Sequence, residues 1–166
     1  MVEFKAATFT EYLDINLIPE SAYGSNLRKF LKPKEWDIVR KKVYAEAEYL
    51  CKICGGQGNR HPVEAHEDWE FDDKNHIMTL RKVVALCPSC HRANHLGFTQ
   101  NVLGDEAFQF TLSHISKING WSMKETEMYV DEVAKKWHER SSHSWELNID
   151  KLRDYLPDFD ISRLQK

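Results

Sequence analysis

The sequence predicts an α+β fold, and three observations carry that expectation. All four cysteines fall into two CxxC pairs, Cys51 with Cys54 and Cys87 with Cys90, and 32 residues separate the pairs. Between them, PVEAHEDWEF and HIMTLRKVVAL are rich in strand-forming residues and are joined by the turn-prone DDKN, the pattern of a β-hairpin. On both sides of this block the apolar residues recur at helical spacing.

Each element has its own signal. Residues 1 to 34 are punctuated by Pro19, Gly24 and Pro33 and read as an irregular arm with one short helix. From Glu35 to Leu50, Trp36, Val39, Val43 and Ala47 share one helical face while Arg40, Lys41 and Lys42 point largely elsewhere, so a helix delivers the chain to the first cysteine pair. Pro88 suits the first turn of a helix that carries the second pair. That helix is expected to run through HRANHLG and to stop at Gly97. Phe108, Leu112 and Ile115 form an apolar stripe ending at Asn119-Gly120, and Ser122 with Glu125 fits a capping box. The box opens a helix with Met123, Thr126, Tyr129, Val130, Val133 and Trp137 on its inner side. Two helices packed as a hairpin follow, and the tail holds an extended piece and a last short helix before Pro157.

Composition bounds the function. The chain has 166 residues, 42% hydrophobic and 30% charged, with five Trp and a formal net charge of -3. That is enough apolar surface for one compact domain, or a core with a helical extension. The charge excludes a strongly basic, charge-driven nucleic-acid binder but leaves room for a local basic patch. No apolar run approaches the roughly 18 to 20 residues that cross a bilayer. MVEFKAATFTEYLD also lacks the basic-then-apolar order of a secretory signal, so the expectation is a cytoplasmic protein without membrane association.

Four thiolates on two knuckles can close a tetrahedron around Zn²⁺, because each short loop lets both sulfurs reach one ion. With no secretory signal, disulfides are disfavoured. A structural Zn²⁺ held by Cys51, Cys54, Cys87 and Cys90 is therefore the expectation, with the glycines of CGGQG turning the backbone under the metal.

Knuckle, hairpin, and second knuckle on a helix is the order of a treble-clef zinc element. Inside it, His66 lies on the first strand, His91 follows Cys90 directly, and His95 follows four residues later. On CKIC, VEAHED and LCPSCHRANH, the segment from Cys51 to Gly97 resembles the His-Asn-His (HNH) endonuclease superfamily, with its ββα-metal site, in the zinc-stapled form. The resemblance covers about 47 of 166 residues. The wider layout, with NLRKFL, the EW…VYAEAEYLC approach and the NGWS…W…RS segment, is similar to a group of uncharacterised bacterial and phage proteins placed in that superfamily. The resemblance implies metal-dependent hydrolysis of nucleic-acid phosphodiesters. It makes His66 the general base and His91 a ligand of a second divalent ion (Mg²⁺, Mn²⁺, Ni²⁺ or Zn²⁺), with His95 a further ligand.

The chemistry can be argued from the residues as well. An imidazole titrates near neutrality and suits a base that strips a proton from water. His91 and His95, at i and i+4 of a helix, point the same way and could hold the metal opposite the strand. Two positions depart from the family pattern. Ala65 stands where an acid or His that ligates the metal is common, and the middle Asn, due near Lys82, is not evident. Glu64, Glu67 and Asp68 are the available substitutes, and strand alternation ranks Glu64 first because it shares the face of His66.

The basic run Arg28, Lys29, Lys32, Lys34, Arg40, Lys41 and Lys42 is a candidate surface for a nucleic-acid backbone, most simply DNA, with Arg81, Lys82 and Arg92 as additions nearer the site. The competing expectation is a catalytically inactive zinc-binding module that binds nucleic acid or a protein partner. The organisation expected is an N-terminal arm over 1–34, a helix plus zinc and ββα-metal core over 35–97, and a C-terminal helical extension over 98–166.

Overall fold

The computed structural model of the chain describes residues 13 to 165, with side chains to residue 163. It is a mixed α+β structure with a small three-stranded sheet. The first 12 residues of the expected arm lie outside the described residues.

A short helix α1 (Leu27–Phe30) starts where the Asn26 side chain accepts the Lys29 N–H at 3.2 Å. Helix α2 (Pro33–Glu46) opens on a proline, and the Glu35 carboxylate accepts the Lys32 N–H at 2.6 Å, using donors that a helix start leaves open. Trp36, Val39, Val43 and Ala47 are all buried, as their spacing predicts. The helix stops four residues short of Leu50, because Glu48 and Tyr49 take positive φ angles of 52° and 58°. That left-handed pair swings the chain into the first cysteine pair.

Strands β1 (Glu64–Asp72) and β2 (Ile77–Leu86) form the expected antiparallel hairpin. Its turn is closed by Asp72, whose Oδ1 accepts the N–H groups of Lys74 and Asn75, both at 3.0 Å. Register runs from Glu64 opposite Leu86 to Asp68 opposite Lys82, then shifts at a bulge so that Trp69 lies opposite Leu80. Strand β3 (Glu146–Asn148), the extended piece of the tail, pairs parallel with β2.

The two faces of the hairpin do different work. Ala65, Trp69, Val83 and Ala85 pack with Trp36, Val39 and Val43 of α2 in one core, sealed by Ile149, Leu152 and Phe159 of the tail. Alternation turns Glu64, His66 and Asp68 to the opposite face, where Leu86 and Val84 meet the cysteines.

Helix α3 (Pro88–Ala93) carries the second pair and is followed by α4 (Leu96–Phe98). The helix that carries the second pair stops at Ala93, short of the expected Gly97, and His95, with φ of -123°, lies in the turn before α4, so it does not share a helix with His91 as expected. From Leu96 the chain is helical again through a π turn at Thr99–Leu103 and breaks at Gly104, whose φ is 88°. Thr99 ties the two helical pieces together, since its hydroxyl donates back to the carbonyls of Arg92 (3.2 Å) and His95 (3.1 Å) and its side chain is fully buried.

Helices α5 (Asp105–Asn119) and α6 (Met123–Ser141) pack together on either side of a left-handed Gly120. The Ser122–Glu125 capping box is formed. Thr126 and Tyr129 are buried as expected, whereas Met123 is exposed and Arg140 is buried instead. Arg140 donates to both carboxylate oxygens of Asp73 at 2.6 and 2.9 Å and to Asn16 Oδ1 at 2.6 Å, with its guanidinium over Phe71. The arm threads between these parts. Leu13 and Ile15 join Leu96, Leu112, Ile115 and Tyr129 in a second core, and Trp137 donates to the Ile18 carbonyl at 2.9 Å. No helix among the described residues is long and apolar enough to cross a membrane.

Candidate metal centres

The first centre is built by the two knuckles. The Sγ atoms of Cys51, Cys54, Cys87 and Cys90 all lie within 4.8 Å of one another. The first loop is shaped by the Cys51 N–H, which donates to the Gly56 carbonyl at 2.9 Å, and by the Gly56 N–H, which reaches Cys54 Sγ at 3.4 Å. Gly58 is required by close approach, since a Cβ there would lie 2.2 Å from the His61 carbonyl and 2.6 Å from the Pro88 ring. In the second loop the Cys90 N–H reaches Cys87 Sγ at 3.5 Å.

Charge decides what these sulfurs can hold. Hydrogen bonds from Cys87 and then Cys90 hold the Cys51 thiol far below the usual thiol range. The same contacts push Cys90 up and Cys87 to about 11. Four sulfurs this close together compete for protons, whereas a soft divalent ion stabilises all four as thiolates. The donor set fits a structural metal such as zinc.

The second centre lies on the outer face of the hairpin, where β1 meets α3 and α4. Nitrogen atoms of His66, His91 and His95 lie within 4.8 Å of one another. His95 Nε2 is 3.1 Å from His91 Nε2, and the His66 ring stands edge-on to both, with centroids at 5.3 and 5.5 Å. Glu64 Oε2 bonds Nδ1 of His91. A carboxylate on Nδ1 fixes the tautomer and leaves Nε2 to bind a cation, the arrangement of carboxylate–histidine–metal sites. Burial, followed by the charges of its His neighbours, lowers the His66 pKa to about 3, and burial and then His91 lower that of His95 to about 4. Both rings are neutral at pH 7 and keep a lone pair.

The other candidates sort by strand face. Ala65 points into the core against α2, and its N–H donates to the Tyr44 hydroxyl at 3.2 Å. An acid at that position would face the core, away from His66. Glu67 is not drawn into the histidine group, because its Oε1 accepts the Leu27 N–H at 2.8 Å. Burial pushes the Glu67 carboxyl up to about 7, against the pull of Leu27, Trp69 and Arg28. Asp68 shares the face of His66 and pairs with Arg81 at 3.5 Å. Trp69 packs in the core.

A groove of about 880 Å³ runs from His66 along the outer hairpin face to α6 and the arm. Its cations are Arg81, Lys82, Lys135, Lys136 and Arg140, and its acids include Asp14, Asp68, Glu70, Glu132 and Glu139. The basic run around α2 lies on the other side of the hairpin. There Arg28 stacks on Trp36, Arg40 pairs with Asp37 at 2.7 Å, and Lys42 donates to the Asp154 carbonyl at 2.9 Å.

Sequence motifs single out neither the lysines of α6 in the groove nor His114 beside Cys90. Helical spacing held a signal for His114, since it sits at i+3 from Thr111 and i−4 from Ile118, both buried. Comparison of the chain with protein-family models, curated proteins and solved structures gives no match.

Proposed function

We propose that the protein is a divalent-metal-dependent nuclease that hydrolyses phosphodiester bonds of DNA, built on a zinc-stapled treble-clef core with a ββα-metal element. The observation that supports this best is the convergence of His66, His91 and His95 at one strand–helix junction, with Glu64 bonded to His91. In this reading Cys51, Cys54, Cys87 and Cys90 hold Zn²⁺. His91 and His95 hold a second divalent ion (Mg²⁺, Mn²⁺, Ni²⁺ or Zn²⁺) through their Nε2 atoms, and Glu64 orients His91. When bound, that ion supplies charge stabilisation to the phosphate and the departing oxygen.

His66 is the base. Its neutral ring takes the proton of a water lined up against phosphorus, and a phosphate beside it raises its proton affinity. Arg81 and Lys82 on the hairpin, with Lys135 and Lys136 on α6, share the groove with His66, beside Arg140, which is held by Asp73. They suit a phosphate backbone without reading sequence.

The test is nicking of supercoiled DNA with each divalent ion. The wild-type chain nicks, and His66→Ala and His91→Ala lose nicking while keeping zinc and fold. A specific observation favours the second reading, an inactive zinc module that binds nucleic acid or a protein: the acids of the groove offset its cations. If the folded, zinc-loaded wild type cuts neither DNA nor RNA with any of these ions, that second reading replaces the first.

A further inference from the structure

Cys90 is fully buried on α3, and its Sγ lies 3.2 Å from Nε2 of His114, a half-buried side chain on α5. The knuckles supply backbone N–H groups to Cys54 and to Cys87. The partner of Cys90 is different in kind, since it comes from a side chain on a helix 24 residues further along the chain. We infer that His114 donates its Nε2–H to the metal-bound Cys90 thiolate, and so acts as a positioning residue that bolts the α5/α6 layer to the four-cysteine centre.

The chemistry follows from charge. A divalent ion with four thiolates carries a net charge of two negative units, buried against Leu86 and α3. Each N–H that points at a sulfur draws off part of that charge and lowers its nucleophilicity. His114 is well suited because α3 and α5 pack directly, and Ala93 of α3 shares a core with Leu112, Ile115 and Ile118 of α5. A bond across that interface makes docking of the C-terminal helices depend on the metal. It rests on the cysteine centre alone and is independent of any chemistry at His66.

The experiment uses the full chain loaded with Zn²⁺ or Co²⁺. Affinity for Zn²⁺ is read by competition with a chromophoric chelator, and the sulfur-to-metal charge-transfer band is read in the Co²⁺ form. His114→Leu lowers affinity by about 10- to 100-fold, the usual cost of losing such a partner, and moves the Co²⁺ band to lower energy. His114→Gln, whose amide nitrogen reaches the Nε2 position, restores both, and the shorter His114→Asn does not. Should the Leu variant fail to fold, the Gln and Asn pair decides alone. Wild-type affinity and band position in Asn as well as Gln would overturn the inference. So would a wild-type Co²⁺ spectrum with the intensity of three thiolates, which would make His114 a ligand.

Discussion

Glu64 and His91, 27 residues apart in the chain, meet where β1 abuts α3, with the carboxylate of one on Nδ1 of the other. The contact supplies an acid to the histidine centre from two residues before His66, on the same strand face, while Ala65 between them turns into the core. Glu64→Ala should therefore cut affinity for Mn²⁺ or Ni²⁺ at this centre by about 10- to 100-fold while leaving zinc content unchanged. Calorimetric titration of the zinc-loaded chain measures this, and Glu64→Gln, which still accepts a bond, should fall between.

Zinc should be part of the fold. Binding at a structural site contributes folding free energy directly, and Cys87→Ser removes one of four ligands. The expected outcome is loss of the single tightly held Zn²⁺ per chain and a melting temperature lower by more than ~10 °C. Elemental analysis and thermal unfolding, with a chelator-treated wild type as comparison, check it.

Glu67 gives a pH signature. Its carboxyl holds a proton in the folded chain up to about 7, against an ordinary value of 4.5. The stability it contributes is complete below about pH 4.5 and is lost as the pH rises through 7. Glu67→Gln cannot ionise and still accepts the Leu27 N–H. Its stability relative to wild type should improve between pH 5 and pH 8 by ~1 to 3 kcal/mol, measured by urea unfolding at both values.

Arg140 pins α6 to the hairpin turn and the arm. Replacing it with Met keeps the apolar stem but leaves Asp73 and Asn16 without their guanidinium partner. A loss of about 2 kcal/mol is expected, a drop of ~4 to 8 °C in a chain of this size. Differential scanning calorimetry reads the change.

Much of the fold was legible because local signals and tertiary needs agreed. The Trp36-to-Ala47 face, the hairpin with its DDKN turn, Pro88 and the Ser122–Glu125 box are each specified within a few residues. Gly97 misled because the helix already ends at Ala93, and Thr99, by bonding back to Arg92 and His95, folds the chain into a second helical piece around Gly97. Strand alternation put Glu64 on the face of His66 but did not foretell its bond to His91, nor the fate of Glu67. Its neighbour in space is a backbone N–H 40 residues away, and no spacing rule reports that. The partners of Arg140 and His114 were not legible for the same reason, since Asp73 and Cys90 lie on other elements, although helical spacing marked His114 as inward-facing.

The proposed function requires two metal sites of different kinds in this chain, one of sulfur and one of imidazole. Equilibrium dialysis of the full chain against Zn²⁺ and then Mn²⁺ or Ni²⁺, with bound ions counted by elemental analysis, tests it most directly. Two ions per chain are expected in the wild type, and one in His91→Ala, with the zinc retained. A wild type that binds only the zinc at saturating Mn²⁺ or Ni²⁺, or a His91→Ala variant that still binds two ions, would contradict it.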